Sequence, residues 1–319
     1  MSLVSALGTA ILPVLSVAAV GFLLGKARDI DVDPLGTVTI YVLTPALIFY
    51  SLATSEISGG LAARLIGGVA LFTLAMVALA EGVGRLLGES EPALGALVLS
   101  SSFPNAGNYG IPLSAFAFGA VGRSTAVLFI AGQSVLMYTV GVYLASRGDE
   151  SDLRGAFAEV FRLPLVYAVV AAWAARWLGV VPATDTPAME TLKLVGDAAI
   201  PVMLLMLGIQ LANTQHGAAI SRVGVSNGLK LLVAPLVGVV VALLLGLGAN
   251  PDVARVFVLE CGMPAAVTPL ILTIEYDSGA GDDGLTGPEY VSTAIFASTV
   301  ASVVTLTGLI AVLKAGILI

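Results

Sequence analysis

The 319-residue chain has one cysteine and one histidine, and only 11% of its residues are charged. Each scarcity removes a class of function. A lone cysteine, Cys261, closes no intramolecular disulfide, and with one histidine beside it the chain offers neither a Ser–His pair nor a zinc-ligand cluster. No cofactor is expected. An ordinary soluble domain carries about 25% charged residues, so this chain holds roughly half the charge a water-facing surface needs. That excludes a cytosolic globular enzyme and a disordered protein. A net charge of −7 and a pI near 4.7 also exclude the basic patch that nucleic-acid phosphates require. What is abundant is apolar: 58% of residues are hydrophobic and the mean hydropathy is +1.01, the composition of an integral membrane protein.

The apolar runs are long and unbroken, which suits helices of about 20 residues rather than alternating barrel strands of about ten. They fall at 4–24, 35–54, 61–86, 92–117 and 121–146, then at 157–179, 188–212, 221–247, 252–275 and 289–317. The first, with no basic flank and too long for a signal-peptide core, reads as span one. The expected fold is therefore an all-α membrane protein of ten spans. Prolines repeat across it: Pro13, Pro45 and Pro104 are spaced by 32 and 59 residues, and Pro164, Pro201 and Pro264 by 37 and 63. An odd number of spans per half inserts the second copy upside down, so the plan is two inverted five-helix repeats, 1–147 and 156–319, around a short cytoplasmic linker at 148–155. Basic residues cluster at the first loop and the linker, which favours N-out and C-out in the cell membrane.

Span four reads Ser100-Ser-Ser-Phe-Pro-Asn-Ala-Gly-Asn-Tyr-Gly-Ile-Pro112. Pro104 and Pro112 bracket two glycines and two asparagines, so the helix breaks. The second half-helix then presents free N–H groups and a positive dipole end to an anion. Asn105 and Asn108 add amide side chains. Span nine repeats the device as Glu260-Cys-Gly-Met-Pro-Ala-Ala-Val-Thr-Pro269, with Gly262 and Pro264 at the break. Paired interrupted helices in matching positions point to a midplane binding site. The expected site is Asn105, Asn108 and the amides near Tyr109 and Gly110, faced by Met263 and Ala265.

The stretch Phe103-Pro-Asn-Ala-Gly-Asn-Tyr-Gly-Ile-Pro-Leu113 resembles the proline–asparagine and glycine–isoleucine–proline–leucine pattern of the auxin efflux carrier family. Met263-Pro-Ala-Ala-Val-Thr-Pro269 with Glu275-Tyr276, and Tyr290-Val-Ser-Thr-Ala-Ile-Phe296, resemble its second crossover and last span. Weaker matches are Gly196-Asp-Ala-Ala-Ile-Pro201, Gln133 with Tyr138, and Lys230 with Pro235. The resemblance implies a homodimeric secondary transporter of organic anions, related in fold to bile-acid sodium symporters and elevator-like or rocking. Spans one, two, six and seven would be a scaffold, and spans three to five and eight to ten a transport domain. It also brings Gln133 and Tyr138 beside the crossover. The long central loop of many plant members is missing, and no indole pocket is legible.

Charged residues within spans each ask for a partner or a role. Glu81 with Arg85 one turn on reads as a salt bridge. Glu260 is a proton or cation site, or else a partner of Arg255. Asp197 and Lys230 either line the path or neutralise each other. Ser102 and Thr268 supply further oxygens for an ion. Thr44 and Ser51, flanking Pro45, are second-rank cavity residues, and His216 reads as an exposed loop residue. Tyr276-Asp277 and Gly279-Ala-Gly-Asp282 superficially resemble aspartyl intramembrane protease motifs, but both sit in one acidic loop, which rules that chemistry out. Two transport modes stay open, an uncoupled anion carrier and a sodium- or proton-coupled symporter.

Overall fold

The computed structural model describes residues 7–28, 30–146, 161–213, 220–276, 281 and 285–319. The linker expected at 148–155, His216, and the acidic-loop residues Asp277, Gly279 and Asp282 lie outside the described residues. Among the described residues the regular elements are all helical, and the one strand-like pairing is a single antiparallel bridge. Six helices of the described residues are long and apolar enough to cross a membrane by length and composition: α2 (Asp33–Ala53), α3 (Gly59–Leu86), α5 (Ala106–Ala145), α7 (Pro187–Asn213), α8 (Gly224–Leu244) and α11 (Gly287–Lys314). Shorter helices complete the order: α1 (Leu12–Ala27), α4 (Ala93–Ser102), α6 (Pro164–Trp177), α9 (Pro251–Cys261) and α10 (Thr268–Glu275). Spans four and nine of the sequence reading each correspond to two pieces, α4 with the start of α5, and α9 with α10. Inside α5, Gly119 has φ 63° and ψ −139°, outside the range of L side chains, and divides the helix into two limbs.

Helix ends follow local chemistry. The Ser58 hydroxyl accepts from the Leu61 amide at 3.3 Å to open α3. Thr286 and Glu289 open α11 with a reciprocal capping box, each side chain accepting from the other's amide. Prolines act by a different route. Pro13, Pro45, Pro112 and Pro235 each follow a widened π-type turn, at Leu7–Ile11, Thr39–Leu43, Ala106–Gly110 and Leu229–Val233. A proline ring collides with the carbonyl four residues earlier, here that of Thr9, Tyr41, Asn108 or Leu231, which is the central residue of each turn. Widening the turn moves that carbonyl aside, so these helices continue past their prolines.

Two groups of helices pack among themselves. In one, α1 lies along α7, while α2 packs on α6 and α7; in the other, α3, α4, α5, α8, α9, α10 and α11 pack on one another. The α1–α7 contact has no room for side chains at its centre. A Cβ on Gly21 would strike the Leu205 carbonyl, one on Gly208 the Ala18 carbonyl, and one on Gly25 would lie 2.9 Å from the Ala212 Cβ. Small residues let the backbones touch, which is how helices gain dispersion energy where lipid removes the hydrophobic drive. Large apolar side chains such as Trp177, Leu86 and Val304 are exposed on the outer faces, where hydrocarbon would meet them. The charges of α3 behave as read: Arg85 and Glu81 pair at 2.7 Å.

Gly208→Ala is expected to lower the thermal stability of the purified protein by about 1–3 kcal/mol, the usual cost of overpacking. Gly67→Ala, on α3 with nothing within 4 Å of its Cβ, is the control and is expected to be neutral or slightly stabilising. Equal losses in a melting experiment would show that close approach is not what Gly208 provides.

Candidate functional site

The two helix breaks cross and pair. Between α4 and α5 the chain runs extended through Phe103 and Pro104; between α9 and α10 it runs through Gly262 to Val267. The Asn105 amide donates to the Pro264 carbonyl at 2.8 Å and the Ala266 amide to the Phe103 carbonyl at 2.9 Å, flanking an antiparallel bridge between Pro104 and Ala265. The groups left over are satisfied from neighbouring helices. The Gln133 side-chain amide on α5 donates to the Pro104 carbonyl at 2.8 Å, and the Ala265 amide donates to Ser298 Oγ on α11 at 3.1 Å. Asn105 has φ −74° and ψ 60° and centres an inverse γ-turn, closed by the Ala106 amide on the Pro104 carbonyl at 2.8 Å. Its own carbonyl accepts from the Gly110 amide at 2.9 Å. The Gly107, Asn108 and Tyr109 amides then open α5, where no earlier turn offers them an acceptor.

A cavity of about 460 Å³ lies against this crossing. Asn105, Gly107 and Asn108 line it from the first break, and Ala266, Val267 and Thr268 from the second. Gln133 and Tyr138 of α5 form one wall, and Thr39 and Thr44 of α2 with Met203 and Met206 of α7 form another. Asn105 is 5% exposed, and its Nδ2 is buried with no hydrogen-bond partner. A buried amide donor left unmade costs free energy comparable to the bond it lacks, which marks this atom as a group waiting for an acceptor.

A second cavity, of about 800 Å³, lies at the opposite ends of the same helices. It takes Tyr50, Ser51 and Thr54 from the end of α2 and Lys193 from the start of α7, whereas the first takes Thr39 and Thr44 of α2 and Met206 of α7. Polar contacts close the packing there. Arg123, four residues past Gly119, reaches Asp197 of α7 at 2.7 Å, Lys193 holds the other oxygen of Asp197 at 2.7 Å, and Ser124 donates to the Ser51 carbonyl at 3.1 Å.

Comparison with known proteins decides what this architecture belongs to. A model of the membrane transport protein family matches residues 6–160 and 153–310. This chain belongs to that family. It is similar to a protein of Methanothermobacter thermautotrophicus named "Uncharacterized transporter", 28% identical over 305 residues, covering 93% of this chain and 95% of the relative. It is also similar to a Rhizobium meliloti protein named "Putative malonate transporter", 22% identical over 318 residues, covering 97% and 96%. The auxin-efflux-carrier resemblance read from the crossover motifs therefore holds over the whole chain, and the protein is a membrane transporter rather than an enzyme.

The transporter's expected site residues divide by position. Pro104, Asn105, Asn108, Gln133, Tyr138 and Thr268 line the first cavity. Met263 and Ala265 are fully buried and Tyr109 is 1% exposed, its phenol meeting Ser302 Oγ at 3.4 Å on α11. Gly110 lies behind the crossing, where a Cβ would overlap the Glu260 carboxylate. Pro112 follows the widened turn, and Gly262 with Pro264 forms the second break. Ser102 is buried with no hydrogen-bond partner for its hydroxyl. Glu260 accepts from Ser114 Oγ at 2.5 Å, while Arg255 pairs instead with Asp252 at 3.0 Å. Asp197 is held by Arg123 and Lys193, so it does not neutralise Lys230, whose Nζ donates to the Cys261 carbonyl at 3.2 Å. Thr44 lines the first cavity and Ser51 the second. Sequence reasoning passed over Met203, Met206 and Gln210, which also line the first cavity. Their spacing of three and four residues after Pro201 is one helical face and was the available signal.

The single native cysteine is buried, which gives a silent background for labelling. In oriented liposomes, Asn108→Cys and Thr268→Cys are expected to react with a membrane-impermeant thiol reagent from one side, and Thr54→Cys from the other. Reaction of all three from the same side would contradict the two-ended geometry.

Proposed function

We propose that this transporter carries a small organic anion by alternating access, exporting or exchanging an auxin-like monocarboxylate or a malate- or malonate-like dicarboxylate held at the crossing of the two helix breaks. The observation that carries this reading is the partnerless, buried Asn105 Nδ2 beside the opening amides of α5, in a cavity of about 460 Å³. A carboxylate is the acceptor that suits an amide side chain, free N–H groups and a helix's positive end together. Its volume is within the range of small-molecule pockets. The name of the Rhizobium relative supports a dicarboxylate such as malonate.

Two cavities at opposite ends of α2 and α7 support a cycle in which the crossing is exposed to each side in turn. On this reading α1, α2, α6 and α7 are the scaffold, and α3 to α5 with α8 to α11 move as an elevator-like or rocking unit. Arg123–Asp197 and Ser124–Ser51 are contacts between the two units that the cycle has to break. Ten spans in two inverted repeats, a homodimer in the cell membrane, and N-out, C-out topology complete the proposal. An anion leaving a cell gains about 2.3 kcal/mol per 100 mV of inside-negative potential, or about fiftyfold accumulation, so export needs no coupling ion. The second reading, a sodium- or proton-coupled symporter, is favoured by one observation: Glu260 is fully buried and its Oε2 has no hydrogen-bond partner.

The test is uptake of labelled malonate, malate and indole-3-acetate into liposomes under an imposed potassium-diffusion potential. Voltage-driven flux without sodium or a pH gradient is expected. Flux that requires either transfers the assignment to the coupled symporter, and no flux of any acid overturns the substrate class. Asn105→Ala removes a hydrogen bond to charge worth about 1.5–3 kcal/mol, so the affinity should fall about ten- to hundredfold. Unchanged affinity in folded protein would remove Asn105 from the site.

A further inference from the structure

Two ionisable side chains are buried among the helices and line neither cavity. Glu260 and Lys230 are both 0% exposed. Glu260 turns toward α5, to Ser114 and the bare Cα of Gly110. Lys230 comes from the widened turn of α8 ahead of Pro235 and reaches the end of α9. There its Nζ donates to the carbonyl of Cys261, the last residue of α9, at 3.2 Å. It also lies 5.5 Å from the centre of the Phe72 ring on α3.

These surroundings are those of a cation site. The closing carbonyls of a helix have no intrahelical donor and form the negative end of its dipole. An aromatic face attracts positive charge in the same way, more strongly where water is absent. A carboxylate stands one residue away in the chain. Glu260 and Lys230 also sum to zero charge whichever of them holds the proton, so the interior of the moving unit is balanced without an ion from solution.

We propose that Lys230 is a tethered cation: its ammonium permanently fills the position at the broken end of α9 that a diffusible coupling cation would otherwise occupy, and so lets the anion cross alone. Deleting the ammonium turns a cation-independent protein into one that has to recruit a cation. The role in transport rests on the proposed anion-carrier reading, whereas cation binding at the site does not, so both are measured.

Lys230→Met, Lys230→Met/Glu260→Gln and the parent protein are melted in sodium, methylammonium and choline chloride at equal ionic strength, and assayed for malonate flux in the same salts. The parent and the double variant, both balanced, are expected to melt alike in all three. Lys230→Met is expected to be stabilised saturably by sodium or methylammonium over choline, with flux reduced about tenfold or more in choline and partly restored by the stabilising cation. If Lys230→Met fails to fold, folding of the double variant supports the proposal, and failure of both overturns it. Lys230→Met that melts alike in all three salts overturns it, as does a parent protein that sodium stabilises equally. A parent that carries no malonate removes the anion-carrier reading but leaves the melting result to decide the cation site.

Discussion

Hydrocarbon offers no partner to a bare amide or carbonyl, so a transmembrane helix can be interrupted only where something else completes its backbone bonds. Here the two interruptions complete each other. Asn105 bonds Pro264 and Ala266 bonds Phe103, and the side chains of Gln133 and Ser298 take the groups that remain. Each break is thus a condition of the other, which explains why they occur at matching places in the two halves of the chain. A break without its counterpart would leave polar backbone stranded among apolar helices. The pairing leaves the first-turn amides of α5, the Asn105 side-chain amide and Gln133 Oε1 among the polar groups still to be satisfied at the cavity, so the structural requirement and the candidate binding site arise from the same few residues.

Glycine performs two distinct tasks around that centre. Gly21, Gly25 and Gly208 remove side chains so that α1 and α7 touch backbone to backbone, and so make a wall with little freedom to deform. Gly110 removes a side chain so that the Glu260 carboxylate can lie against α5 behind the crossing. The first task concerns rigidity. The second brings a charged residue of one half of the chain into the break of the other.

Much of this was legible in the residues because prolines and apolar runs speak locally. The membrane class follows from composition, and both interruptions follow from Pro104, Gly262 and Pro264. The detailed response of the helices did not follow. Pro13, Pro45, Pro112 and Pro235 are absorbed by widened turns rather than by breaks, because a helix can yield at the carbonyl four residues back when nothing else is lost. Charge partners on different helices, unlike the i,i+4 pair Glu81–Arg85, were also beyond reach of the sequence. Asp197 and Lys230 are the natural pair by count, yet Asp197 lies near the second cavity with Arg123 and Lys193, while Lys230 belongs to the end of α9. Pairing is decided by depth in the bundle, which no one-dimensional pattern carries. The methionine-lined face of α7 was hidden for the opposite reason, since apolar residues in a membrane helix look alike whether they face lipid or ligand.

The two cavities enter from opposite ends of α2 and α7, with packed protein between them. Where water penetrates from both sides, an applied voltage does not fall evenly through the thickness of the bilayer. It falls mainly across the packed protein between the cavities, so the local field there is steeper than the bilayer average. An anion held at Asn105, as proposed, would then meet much of the membrane potential within that packed region. On the proposed cycle, a displacement shorter than the bilayer thickness would in this way draw on a large part of the electrical driving force.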